Sequence, residues 1–374
     1  MSSKASFYGD NLRLARLMSG ISLNELGEKV GTTRQYIHQL ETTDKTPAPD
    51  LMKALAFELH VDEGFFSIPT GNQIKEEECH FRKLKSTLVS SRRECTAWAT
   101  LLNRLIDSLE HYLELPKVNF PQCEASTLQE VEKIASECRK RWGLGDGPIK
   151  SMVRVVENAG AVVSTFDEVS EKVDALSLYR SRPIILINPN KSSPRIRMDI
   201  GHETAHIVLH NGLETGSRET EDQADYFSSH FILPRHGLLQ GYTSQSKTQI
   251  DWNSIKAMKI KWGISMRAIV FRLHQADMLS PSQYRTANIH LSKTGQTKSE
   301  HFDVDIPMEK PELLPASIAL LGKTYGKNLG GLLKELSIHP TFLGNLTQTN
   351  GIIDTILNEY DSPSNVINIH AYHR

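Results

Sequence analysis

The 374 residues carry 43 Lys and Arg against 44 Asp and Glu, a formal charge of −1, so binding to nucleic acid or acidic lipid would have to come from local patches. The length suits two to three domains of about 100–200 residues. No apolar run approaches the ~18–20 residues that span a bilayer, no signal-like stretch follows Met1, and Cys79, Cys95, Cys123 and Cys138 lack CxxC spacing. This argues against a membrane protein, a zinc ribbon and a disulfide scaffold, and a reducing cytoplasm is the expected setting.

In chain order, Asn11 to Met18 reads as a helix. Ser22-Leu-Asn-Glu25 is a capping box that opens a second helix through Val30, ended by Gly31. Thr32-Thr-Arg-Gln35 reads as another capping box, with Thr32 as the cap of a third helix running to about Glu41. After Pro47 and Pro49, Asp50 begins a fourth helix holding Leu51, Leu55 and Leu59. Two short helices joined by a glycine turn within a small bundle are the layout of a helix-turn-helix module. The stretch Ile21-Ser-Leu-Asn-Glu-Leu…Val30-Gly…Ile37…Leu40-Glu41…Pro49 resembles the Xre/Cro repressor family. That resemblance implies double-stranded operator DNA as partner, a homodimer on paired half-sites, and a third helix entering the major groove by its N-terminal end. Thr33, Arg34, Gln35 and His38 would then face base edges, arginine suited to guanine and glutamine to adenine, while Thr32 reaches phosphate. The competing reading is a bundle for protein contacts, since residues 1–67 hold seven Lys and Arg against nine Asp and Glu.

Glu76 to Arg93 is abruptly charged, either the solvated face of a linker helix or a basic arm for phosphates. Leu101 to Tyr112 is an apolar-periodic helix broken by Pro116 to Pro121, and Thr127 to Trp142 is another. The glycine-rich loop from Trp142 to Ile149 lacks the spacing of a phosphate cradle. Ala161–Phe166, Ala175–Tyr179 and Pro183–Ile187 are short strand candidates, and the edge of such a sheet can hold an extended substrate as an added strand.

His202-Glu203-Thr204-Ala205-His206 carries the clearest chemistry. Residues four apart share a helix face, so both imidazoles can grip one metal ion, with Glu203 beside them as base for the attacking water. Ser193 reads as the N-cap of this helix and Pro194 as its first residue. The plain alternative is an amphipathic helix with two surface histidines. A third ligand is needed, and the extension HExxHxxGxxH is absent, because Leu209 and Gly212 stand where its glycine and histidine belong. His210, one turn on, either backs His206 or lies at the surface. Glu219 to Pro234 reads as a second helix on which Glu221 and Asp225 are again four apart, which resembles the ExxxD arrangement of gluzincin-type peptidases; that resemblance implies that the glutamate binds the metal and the aspartate orients a ligand histidine. Glu214 and Glu219 are fallback ligands. Tyr226, His230, Arg235 and His236 are neighbours in sequence that could stabilise an oxyanion.

Arg195-Ile-Arg-Met-Asp-Ile-Gly-His-Glu-Thr-Ala-His206, followed by Glu221-Asp-Gln-Ala-Asp-Tyr-Phe227 and Ile232-Leu-Pro234, resembles the ImmA/IrrE metallopeptidases. Departures from that family's pattern are Met198 for phenylalanine, Gly201 for alanine, Ala205 for glycine, Asp225 for asparagine and Ser228 for alanine. The resemblance implies a cytosolic site-specific endopeptidase, often directed at a transcriptional repressor. Zinc is the expected metal, with manganese as the alternative, because two imidazoles and one carboxylate favour zinc.

Trp252 to Leu279 is apolar-periodic around Gly263-Ile-Ser265, with Ser265 as a cap, while residues 290–374 offer no recognisable chemistry. The expected fold is mainly α with a small sheet, of class α+β. It comprises a helix-turn-helix domain (1–69), a helical linker (70–125), a gluzincin-like peptidase domain (126–285) and a mostly helical C-terminal domain (286–374). The expected function is a DNA-binding transcriptional regulator fused to a metal-dependent endopeptidase that cleaves itself or a partner regulator. The alternative is an antitoxin that represses its own operator and binds a toxin, with the peptidase fold as scaffold.

Overall fold

The computed structural model describes the chain apart from residues 1–5, 71–72, 82–88, 167–173, 214–215, 245, 247, 298, 325 and 362–374. Glu214, His370, His373 and the basic residues from Arg82 to Lys85 therefore lie outside the described residues. The fold is mainly helical with a small sheet, as the periodicities suggest. Among the described residues no helix is long and apolar enough to cross a membrane.

The N-terminal helices are α1 (Gly9–Met18), α2 (Leu23–Lys29), α3 (Arg34–Thr42) and α4 (Pro49–Glu58). The Ser22–Glu25 capping box forms as expected. The cap of α3 is Thr33 and not Thr32: its hydroxyl accepts from the amide of Tyr36 at 3.2 Å. Thr32 still belongs to the turn that ends α2, its amide donating to the carbonyl of Gly27 at 2.7 Å, so α3 starts one residue later. A buried two-point ion pair fixes α1 against α3, with Arg16 Nε 2.5 Å from Glu41 Oε1 and Arg16 Nη2 3.0 Å from Glu41 Oε2.

The charged segment after these helices does not form the expected linker helix from its start. It holds a two-residue strand, β1 (His80–Phe81), and among the described residues the helix α5 spans Val89–Leu109. Then come α6 (Leu128–Arg141), α7 (Met152–Asn158), β2 (Val162–Thr165), β3 (Ala175–Tyr179) and β4 (Pro183–Ile187). The two helices that carry HExxH and ExxxD follow, α8 (Ser193–Leu209) and α9 (Arg218–Ile232), and next α10 (Arg235–Gly241), α11 (Trp252–Trp262), α12 (Met266–Gln275) and α13 (Pro281–Lys293). Gly263, at φ 67°, closes α11 in the left-handed region and Ser265 caps α12, as the sequence suggests. The chain ends in α14 (Leu313–Thr324), α15 (Gly326–Leu336), α16 (Pro340–Thr347) and α17 (Asn350–Asp361).

By its contacts the chain divides into two units. One comprises Met1–Glu76, Leu88–Leu115 and Leu313–Arg374. Within it, Val61 bridges Ile338, the amide of Asp62 donates to the carbonyl of Ser337 at 2.9 Å, and the rings of Phe65 and Phe342 lie 6.2 Å apart. Buried Asn11 joins α1 to the same region, donating to the carbonyls of Phe65 and Ile68 and accepting from Arg104 of α5.

The other unit comprises Glu77–Thr87 and Pro116–Glu312. Its sheet runs β1-β3-β4-β2, with β1–β3 and β3–β4 antiparallel and β2–β4 parallel. β2 and β4 are buried throughout, which suits the Val162-Val163 pair of one and the Ile184–Ile187 run of the other. α8 packs on β3 and β4, and α9 packs on α8 and α6. The N-cap of α8 is Ser192, with Ser193 already helical, because the Ser193 hydroxyl is turned away to donate to the carbonyl of Pro307 at 2.5 Å. Gly201 lets α9 approach: an added Cβ would lie 2.4 Å from the hydroxyl of Ser228, which itself donates to the carbonyl of Met198 at 2.8 Å. Three of the departures from the family pattern, Met198, Gly201 and Ser228, are thus one packing contact.

α8 is anchored from a distance by Glu309. This buried carboxylate accepts from Arg197 Nη1 at 2.5 Å, from the amides of Met152 and Val153 at 2.9 and 3.1 Å, and from the Ser151 hydroxyl at 3.0 Å. It therefore ties α8 to the N-terminus of α7. Glu309→Ala, which strands buried Arg197, is expected to destabilise the unit by about 3–5 kcal/mol in urea unfolding. A loss below about 1 kcal/mol would mean that the pair does not hold α8.

Candidate metal centre

The spacing of the HExxH motif puts His202 and His206 on one face of α8, both buried, with their Nε2 atoms 3.0 Å apart. α9 brings Glu221 opposite them, its carboxylate oxygens 3.5 Å from each Nε2. One donor atom from each of the three residues lies within 4.8 Å of the others. Oε1 of Glu221 is buried without a hydrogen-bond partner. Glu203 is fully buried on the same helix, and the Ser177 hydroxyl of β3 donates to its Oε2 at 2.6 Å.

The surrounding partners decide where the protons sit. Asp225 Oδ1 can only accept, so His202 Nδ1, 2.8 Å away, carries the hydrogen and Nε2 is left as a lone pair. A longer relay acts on His206. Gln223 Nε2 donates to the carbonyl of Ala125 at 3.1 Å, which turns its Oε1 towards His210 Nε2 at 2.8 Å. His210 thus donates from Nε2 and accepts at Nδ1 from His206 Nδ1, 2.9 Å away, so that His206 Nε2 is also a lone pair. Burial favours these neutral forms. It pushes the His206 pKa down to about 3 and lowers that of His210. Burial raises the Glu221 carboxyl, and positive charge on the side of His202 and His206 lowers it; with both imidazoles neutral, a bound cation would supply that charge. Two neutral imidazoles and one carboxylate then aim electron pairs at one point with no proton between the nitrogens. That donor set fits a divalent cation.

The expected site residues His202, Glu203, His206, Glu221 and Asp225 are therefore brought together. His210 backs His206 and is not a surface group. Glu219 is exposed in the first turn of α9, and Glu214 lies outside the described residues. His230 is occupied elsewhere: its Nδ1 faces the carbonyl of Tyr226 at 2.8 Å and its Nε2 faces Arg272 at 2.5 Å. Arg235 and His236 are exposed at the start of α10. Sequence reasoning missed Ser177 and Gln223, two common polar residues whose only signal is placement, one on a strand and the other on the inner face of α9. In the N-terminal unit, Thr33, Arg34, Gln35 and His38 are exposed along the first turns of α3, and Thr32 is half-buried.

Residues 156–274 match the family model of the IrrE N-terminal-like domain, a peptidase M78 family, and residues 12–66 match that of the helix-turn-helix family. The resemblances read from the two motifs are borne out, each on its own stretch. The chain joins a helix-turn-helix domain of the DNA-binding type to a metallopeptidase-like domain of a family that implies a divalent metal. No curated protein matches the chain.

The relay through His210 has a measurable consequence. Gln223→Leu removes the acceptor that orients His210, and zinc affinity measured by chelator competition is expected to fall about 10–100-fold with the circular dichroism spectrum unchanged. Unaltered affinity would show that the relay does not hold His206 for a cation.

Proposed function

We propose that the chain is a DNA-binding transcriptional regulator fused to a zinc-dependent endopeptidase that acts in the cytoplasm on a partner regulator or on itself, with manganese as the second choice of metal. The observation that carries this reading is the pair of imidazole Nε2 atoms 3.0 Å apart, faced by Glu221 and flanked by buried Glu203.

His202, His206 and Glu221 would hold the cation, and Asp225 would orient His202. The cation would supply Lewis acidity for the scissile carbonyl and lower the pKa of the attacking water. Glu203, fixed by Ser177, takes the water's proton on its carboxylate and delivers it to the departing amine. In the same reading α3 lies in the major groove of operator DNA bound by a homodimer, with Thr33, Arg34, Gln35 and His38 on base edges and Thr32 near phosphate.

Elemental analysis of the native protein is expected to give one zinc or manganese per chain, lost in His206→Ala and Glu221→Ala. Glu203→Gln is expected to retain metal and DNA binding and to lower peptide hydrolysis about 10²–10⁴-fold. A folded wild-type protein that takes up no metal when zinc is supplied would sink the peptidase reading. Arg34→Ala or Gln35→Ala should each weaken operator binding by about 1–3 kcal/mol in a titration at fixed salt. Unchanged affinity in both would remove α3 from the DNA interface.

A further inference from the structure

The edge of β3 beside the metal centre is filled by the chain's own segment. β1 pairs antiparallel with β3 in the register His80 to Ser177 and Phe81 to Leu176, so His80 stands opposite the serine that holds Glu203. The His80 imidazole is buried and stacked on that of His206, with ring centres 5.2 Å apart and planes within 15°. Two residues earlier, Glu78 is clamped by Arg180, just past the end of β3. Arg180 Nη2 lies 2.9 and 2.8 Å from the two Glu78 oxygens, and Nε lies 3.1 Å from Oε1. This segment lies outside the stretch matched by the IrrE-like family model, residues 156–274, so it is not part of the matched domain.

An open strand edge binds an extended peptide through its main chain, and pockets or charges beside it choose the side chains. A two-residue ladder is a weak hold, because each backbone hydrogen bond contributes only about 0.5–1.5 kcal/mol net. The Glu78–Arg180 clamp is only partly buried, with 38 % and 23 % of the side chains exposed. We infer that the β3 edge is the peptide-binding edge of this site, that Arg180 selects a carboxylate two residues before the residue lying over His206, and that Glu78–Phe81 occupies the edge as an intramolecular competitor. The substrate class is then an extended peptide with Glu or Asp at that position. The segment must leave before such a peptide enters. This rests on the peptidase reading for its biological sense, but not for its measurement.

The test is fluorescence polarisation of a labelled synthetic peptide copying residues 76–81, titrated with full-length protein in a Glu203→Gln background so that the probe is not consumed. Adding Glu78→Ala, which unclamps the internal segment, is expected to tighten peptide binding at least about tenfold over the protein that keeps Glu78. Adding Arg180→Glu to the unclamped protein should abolish binding of this peptide and restore it for a peptide with Lys in place of its Glu78, a rescue that a misfolded protein cannot give. Equal affinity with and without Glu78→Ala, or binding indifferent to Arg180→Glu, would overturn the inference. The two readings fail separately. Hydrolysis by the wild type together with indifferent binding sinks only the strand inference, whereas clamp-dependent binding with no hydrolysis under any condition sinks only the peptidase reading.

Discussion

Two imidazole nitrogens held 3.0 Å apart, each presenting a lone pair, are the constraint around which this half of the molecule is organised. Lone pairs repel, and burial removes the water that would otherwise separate them. The arrangement therefore needs both a rigid frame and something positive between the donors. The frame is made of proton donors turned outward: Asp225 takes the hydrogen of His202, and the Gln223–His210 relay takes that of His206. With a single acceptor missing, one ring could turn its N–H inward and bond to the other, and the pair would cease to be a cation site.

That frame requires α8 and α9 to pack closely at Gly201. Gly201 and Ser228 make the approach, the serine hydroxyl filling the space that an alanine methyl at 201 would claim. The exchange explains why two departures from the family pattern occur together without disturbing the ligand geometry. The axial position of α8 depends on Glu309, which binds Arg197 and caps α7 in one buried carboxylate. A residue in a region with no recognisable motif thus supports the motif that carries the chemistry.

Features that depend on local periodicity were legible in the sequence. Three of the four strands, the HExxH helix, its ExxxD partner and the Ser22–Glu25 box follow from spacing alone. Capping was read one residue out of place twice, at Thr32 and Ser193, because a serine or threonine pair offers two equivalent caps and tertiary contacts choose between them. Ser177, Gln223 and Glu309 could not be read, since their roles depend on what the fold brings opposite them. β1 was hidden for a related reason: a two-residue strand in a charged segment has no alternation to detect.

The unit that contains the helix-turn-helix is discontinuous, closed by the bridge from Val61 to Ile338 and by the Phe65–Phe342 contact. This sets an order on biosynthesis. The N-terminal helices leave the ribosome first, but the helices that complete their core are translated only after Glu312. At about 5–20 residues per second the gap is roughly ten to fifty seconds, long enough for the intervening unit to fold. The nascent N-terminal helices spend that interval with an uncovered apolar face, so a chain that stalls or is truncated late leaves its DNA-binding unit unfinished while the metal-site unit is already complete.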